Sequence, residues 1–156
     1  NDESPADLVS RLAKDKAEIV SRQYRDALII GADQIAVLED EVLGKPGDHQ
    51  RAIEQLLAAS GKLVKILTAV CVLDPVSLTH LEHTDHTTVR FRRFDRRLAE
   101  RYLRHDEPYD CAGSFRLEGA GFVLFESVTT EDPTALIGLP MIWLAGTLKD
   151  LDYLLS

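Results

Sequence analysis

An α/β fold, one mixed sheet of long twisted strands with helices on its faces, is what the sequence predicts, and three observations predict it. Ala27 to Ala32 is a near-continuous apolar run with the length of a strand buried on both faces. Leu63–Leu73 and Leu78–Arg92 are long stretches, the first rich in β-branched residues and the second partly alternating, joined through an Asp74-Pro75 turn as an antiparallel pair would be. Segments with apolar residues at helical spacing lie between and around them. Pattern alone makes α/β and α+β equally natural, and a single sheet flanked by helices is the reading adopted. The 156 residues suit one domain over residues 1–156, long enough to bury a core without disulfides or a structural metal.

Ser4 before Pro5 marks a helix start, because the serine can accept an orphan backbone N–H while proline is pre-set for the first helical position. Leu8, Leu12, Ala13, Lys16, Ala17 and Val20 carry that helix to about Arg22, with Lys16 on or beside its apolar stripe. The first strand is expected to end at Asp33. Ile35–Leu38 and Glu41–Leu43 flank acidic turn residues and predict a short hairpin. Asp48 caps a helix carrying Ala52, Ile53, Leu56 and Leu57, which Gly61 stops. Asp95 caps another through Arg104, with Leu98 and Tyr102 inward. Gly113, Gly119 and Gly121 punctuate short strands around Phe115 and from Phe122 to Glu126, and Pro140 opens a last helix to about Leu155.

With 26 acidic against 18 basic side chains the net charge is −8, which opposes binding a long polyanion and leaves room for a small phosphorylated ligand met by local cations or a metal. No apolar run approaches the roughly 20 residues of a membrane helix, so no membrane partner is expected. Cys71 and Cys111 lack zinc-ligand spacing and the density of a secreted scaffold, and a reducing cytoplasm is the simplest compartment.

Two short segments carry candidate chemistry. Asp33, in Gly31-Ala32-Asp33-Gln34, is an acid at the end of a buried strand, where ligands gather in open α/β sheets; a hairpin residue is the alternative. Lys45 stands between Gly44 and Pro46, where the backbone approach is expected to be tight, although a solvated loop lysine has the same pattern.

The order of motifs adds a third line of argument. A helix with an inward lysine, the Gly-Ala-Asp-Gln strand, Gly44-Lys45-Pro46, Glu107-Pro108-Tyr109-Asp110-Cys111-Ala112-Gly113-Ser114-Phe115 and Gly138-Leu139-Pro140 together resemble the Maf family of nucleoside triphosphate pyrophosphatases over nearly the whole chain. The resemblance implies a Maf/ITPase-like fold and hydrolysis between the α and β phosphates with a divalent cation, Mg²⁺ or Mn²⁺. It matches Asp33 to the family's essential acid, as catalytic base or metal ligand, and Lys45 and Lys16 to its phosphate-side lysines. A carboxylate can activate water or hold a hard cation, and lysines offset charge developing on pyrophosphate.

Base choice is expected to lie in Gln34 and Glu118. Most family members act on thymidine or uridine triphosphate and have Thr after the acid, Gly-Ile-Gln-Gly later, and Lys-Ala-Gly-Ala-Tyr between. Gln34, Arg116-Leu117-Glu118-Gly119 and Cys111-Ala112-Gly113-Ser114-Phe115 resemble instead the subgroup acting on 7-methyl-GTP. An ionised glutamate only accepts hydrogen bonds, which suits the donors on guanine's Watson–Crick edge and the cationic methylated ring. An exposed turn residue is the alternative for Glu118. Rival functions are a pyrimidine or broader pyrophosphatase and a non-catalytic nucleotide-binding regulator of cell division.

Other features are assigned to structure. His80 and His86 face one side of their strand and His83 and Asp85 the other, which argues against a metal cluster. Arg97, Arg101 and Arg104 share a solvated helical face, and nucleic-acid binding is a minor reading. Cys111 lacks a histidine motif, and Trp143 and Met141 are expected in the core. The chain begins at Asn1, and the resemblance implies a preceding strand and a Ser- and Arg-rich phosphate-gripping segment. The expectation is therefore an N-terminal truncation of low activity, lacking one strand, with homodimers as in many relatives.

Overall fold

In the computed structural model, which describes residues 3–77 and 79–154, nine elements follow one another along the chain. They are α1 (Pro5–Ser21), β1 (Ile29–Leu38), β2 (Glu41–Leu43), α2 (His49–Ala59), β3 (Leu63–Leu73), β4 (His80–Phe91), α3 (Arg96–Asp106), β5 (Phe125–Thr129) and α4 (Met141–Asp150). The strands make a sheet in the order β2-β1-β3-β4-β5, and the β1–β2 and β4–β5 ladders are antiparallel. The α/β class and the long strands are as the sequence predicts. No helix among the described residues is long and apolar enough to cross a membrane.

The chain divides into two compact units, Asn1–Gln34 with Leu67–Asp85 and Glu131–Ser156, and Ile35–Ile66 with His86–Thr130. In the first, Ser4 accepts from the Asp7 N–H and Pro5 opens α1, whose buried stripe is Val9, Ala13 and Ala17. That stripe lies so close to β1 that a Cβ on Gly31 would stand 2.3 Å from the Ala13 carbonyl oxygen. Only glycine admits the contact. Val70, Val72 and Leu144 are the buried centre beneath α4, flanked by Leu28, Leu81, Leu139, Trp143 and Leu148. Pro140 offers no side-chain cap to α4; Asp132 accepts instead from the Ile142 N–H at 2.7 Å, and Thr134 from the Met141 N–H at 2.8 Å.

In the second unit, β1 turns into β2 through Glu39-Asp40, with Leu38 opposite Glu41 and Glu39 in the left-handed region at φ 58°. Asp48 caps α2 and Asp95 caps α3 through the N–H groups of Arg51 and Leu98. Arg97, Arg101 and Arg104 are exposed while Ala99, Tyr102 and Leu103 are buried, as an amphipathic helix requires. Phe91, Phe115 and Phe125 meet pairwise edge-to-face with centroids 5.1–5.3 Å apart and form the aromatic centre of this unit.

Four expectations are corrected. β1 does not end at Asp33 but continues to Leu38, because Ala36, Val37 and Leu38 extend the strand by pairing with β2. No strand forms around Phe115; Ala112–Ser114 and Gly121–Leu124 are 3-10 turns, since Gly113 and Ser114, at φ 73° and 65°, break extended backbone. α4 stops at Asp150, and its expected end at Leu155, like the expected β4 start at Leu78, lies outside the described residues. Met141 is 46% exposed rather than core: it opens the first turn of α4, one turn before the buried Leu144, at the end of the helix.

Candidate active-site residues

The close approach of α1 to β1 explains the first pair of candidate residues. Lys16, between Ala13 and Ala17 on α1, donates from Nζ to the Ala32 carbonyl at 3.1 Å and pairs with Asp33 Oδ1. The Asp33 side chain is 19% exposed and that of Lys16 55%, so the carboxylate is recessed while its ammonium partner reaches solvent. Asp33 Oδ2 makes no hydrogen bond among the described residues and is the oxygen open to a water or a cation. The structure thus brings the helix lysine and the strand acid together, with the acid in mid-strand and the lysine exposed rather than inward.

Gln34, the next residue, leaves the strand on its other face. Its Nε2 lies 2.9 Å from Thr68 Oγ1, 2.9 Å from the Ala135 carbonyl and 3.4 Å from the Leu136 carbonyl. Thr68, almost fully buried on β3, donates its own hydroxyl proton to the Ala135 carbonyl at 2.9 Å. Thr68 carries no motif signal; only its polar character inside the apolar run of β3 could have marked it.

In the second unit the Gly44-Lys45-Pro46 loop and the Cys111–Ser114 segment come together. The Gly44 carbonyl accepts from Gln55 Nε2 at 3.1 Å and from the Gly113 N–H at 3.4 Å, and the Gly47 N–H donates to the Tyr109 carbonyl at 2.9 Å. Gln55 Oε1 in turn accepts from Ser114 Oγ at 2.5 Å. Gln55 on α2 therefore ties both motifs into one frame, a role hidden in the sequence because it is the polar flank of an apolar helical stripe. Lys45 is exposed while Pro46 is buried, so the backbone is anchored and the ammonium is free to reach a ligand. The tight approach expected at Gly44 is absent: a Cβ there would meet nothing within 4 Å, and hydrogen bonds rather than steric closeness fix the loop.

Glu118 is exposed on the 117–120 turn. That turn is sealed against the end of α3: Asp106 Oδ2 accepts from the Ala120 N–H at 2.7 Å, the Asp106 carbonyl from the Arg116 guanidinium at 2.7 Å, and the Tyr102 hydroxyl from the Arg116 N–H at 3.1 Å. A Cβ on Gly119 would stand 2.3 Å from Asp106 Oδ2, so the turn has no room to shift inward.

Among the described residues no group of three or more His, Cys, Asp or Glu side chains is arranged to hold a metal. On β4, His80 and His86 are exposed, whereas His83 is half-buried and stacks on Trp143 with centroids 5.2 Å apart. Cys111 is half-buried, and burial together with the neighbouring Asp110 carboxylate raises its thiol pKa, which disfavours a nucleophilic thiolate. Buried Cys71 is pushed up to about 11, chiefly by desolvation.

Comparison with known proteins agrees with the motif order. Residues 1–151 match the family described as Maf-like protein. A 7-methyl-GTP pyrophosphatase of Pseudomonas syringae pv. syringae is 48% identical over 147 residues, covering 94% of this chain and 77% of the relative. Proteins of the same name from Xanthomonas axonopodis pv. citri and Nitrosococcus oceani are 47% and 42% identical over 151 residues, 97% of this chain and 78% and 76% of theirs.

Proposed function

The chain belongs to the Maf family, and from that membership we propose that it hydrolyses 7-methyl-GTP between the α and β phosphates, releasing 7-methyl-GMP and pyrophosphate. The observation that supports the reaction most directly is the recessed Asp33 carboxylate, with an ammonium on one oxygen and the other open. In the proposed reaction water adds to the α phosphorus, the bond to the bridging oxygen breaks, and pyrophosphate leaves. Asp33 takes the water's proton or holds a cation beside it. Lys16, mobile enough at half exposure to exchange a carboxylate for a phosphate oxygen, and Lys45, on its anchored loop, offset charge on the leaving group. Gln34 and Glu118 read the base.

A divalent cation fits Asp33 as one hard-oxygen ligand rather than as a protein cage, the mode in which Mg²⁺ is held by one or two carboxylates and completes its shell with water and phosphate oxygens. When bound, it would polarise the phosphate and lower the cost of developing charge. The free cysteines fit the reducing cytoplasm, where such a nucleotide would be cleared. A homodimer is part of the proposal and is checked by light scattering. The test of function is pyrophosphate release with Mg²⁺ across 7-methyl-GTP, GTP, dTTP and UTP. Highest kcat/KM for 7-methyl-GTP supports the proposal; nucleotide binding without turnover defeats it.

A further inference from the structure

Resting on that reading of Gln34, we propose that Thr68 is a positioning residue that locks the Gln34 carboxamide so that it offers the nucleotide base a hydrogen-bond acceptor and no donor. Two features together fix the amide. The Ala135 and Leu136 carbonyls can only accept, so the amide atom 2.9 and 3.4 Å from them is the nitrogen. Thr68 has a single hydroxyl proton, directed to the Ala135 carbonyl at 2.9 Å, so at 2.9 Å from Gln34 it can only accept. Both amide hydrogens are thereby engaged by three oxygens on one side. The remaining polar group, Oε1, makes no hydrogen bond among the described residues.

The consequence concerns substrate class. A glutamine free to rotate would serve a base edge of either polarity, whereas a locked one selects an edge that donates, and rejection comes from the unpaired carbonyl oxygen left by the wrong base. Guanine, with adjacent N1–H and N2–H donors, fits an acceptor. The lock depends on Thr68 because its hydroxyl, 1% exposed on β3 and donated to the Ala135 carbonyl, is the one side-chain acceptor that the Gln34 amide nitrogen meets among the described residues.

The experiment measures kcat/KM for 7-methyl-GTP and for UTP in the full-length protein and in Thr68→Val, Thr68→Ser, Gln34→Ala and Thr68→Val/Gln34→Ala variants, with thermal unfolding of each. Valine keeps the shape of threonine and removes the hydroxyl. The expected result is a fall of about five- to tenfold in the ratio of the two kcat/KM values for Thr68→Val, carried by KM for 7-methyl-GTP, the size of one lost hydrogen bond. Serine restores the ratio, and the double variant has the ratio of Gln34→Ala alone because Thr68 acts through Gln34. A merely structural role would lower both substrates together and leave the ratio unchanged. An unchanged ratio in Thr68→Val beside a reduced one in Gln34→Ala overturns the lock and leaves the function intact. An unchanged ratio in Gln34→Ala overturns base reading by Gln34 and the lock with it, while a wild-type protein that releases no pyrophosphate from 7-methyl-GTP refutes the function first.

Discussion

Replacing Gly31 by alanine tests how the fold delivers Lys16 to Asp33. The new Cβ would lie 2.3 Å from the Ala13 oxygen, 2.7 Å from the Ala17 nitrogen and 2.8 Å from the Ala17 Cβ, whereas ordinary contact begins at 3.4 Å. Two of these three atoms are backbone, so no rotamer change relieves the clash and α1 must retreat by about 1 Å. A retreat of that size carries the 3.1 Å bond from Lys16 to the Ala32 carbonyl beyond hydrogen-bonding distance and loosens the ion pair with Asp33. Overpacking of this kind costs about 1–3 kcal/mol of stability. Misplacing a reacting group by about 1 Å costs on the order of 100-fold in rate. The assay is pyrophosphate release from 7-methyl-GTP together with calorimetric unfolding. Gly31→Ala is expected to lower kcat by one to two orders of magnitude, about as much as Lys16→Met does, and the two changes combined should not multiply. Wild-type kcat and an unshifted Tm in Gly31→Ala would refute the argument.

Three further outcomes are expected. Glu118→Gln with Gln34→Thr should move preference from 7-methyl-GTP towards UTP or dTTP, read as the ratio of kcat/KM values; an unchanged ratio contradicts base reading at these positions. Gln55→Leu removes the bonds to Gly44 and Ser114 and should raise KM for the nucleotide about fivefold or more through the loosened Lys45 loop, and an unaltered KM dismisses Gln55 as its anchor. Asp106→Ala leaves the Ala120 N–H without its acceptor and should cost about 1–3 kcal/mol in urea unfolding at pH 7. Burial pushes the Asp106 carboxyl up, but hydrogen bonds from His105, the Ala120 N–H and Tyr102 outweigh it and hold the pKa below the ordinary value. Its contribution is therefore complete above the unfolded value of about 3.9 and lost as pH falls through the lower folded one, so the gap between wild type and Asp106→Ala should narrow only below about pH 4. A gap that narrows between pH 7 and 5 contradicts this.

What the sequence made legible is what local chemistry governs. Ser4, Asp48 and Asp95 announce helix starts because capping is a matter of neighbouring atoms, and β3 is read to the residue because a long run rich in β-branched residues favours a strand over a helix. The end of β1 is not legible, because Asp33 looks like a terminator while the strand's continuation depends on pairing with β2. Phe115 alternates plausibly with its neighbours, and only the left-handed Gly113 and Ser114 reveal a turn. Lys16 and Asp33 are each visible in the sequence as a helix lysine and a strand acid, but their pairing is not, because its cause, the missing Cβ of Gly31, belongs to tertiary packing. Gln55, Thr68 and Asp106 carry no local signal for the same reason: each is an ordinary polar side chain that also bonds a group distant in the chain.

The proposed mechanism makes phosphoanhydride cleavage depend on Asp33. It is tested most directly by single-turnover hydrolysis of 7-methyl-GTP by the full-length protein and its Asp33→Asn variant, followed through 7-methyl-GMP and pyrophosphate. The wild type is expected to form both products stoichiometrically and Asp33→Asn to lose at least about 100-fold at unchanged Tm. Near-full turnover by Asp33→Asn would contradict it.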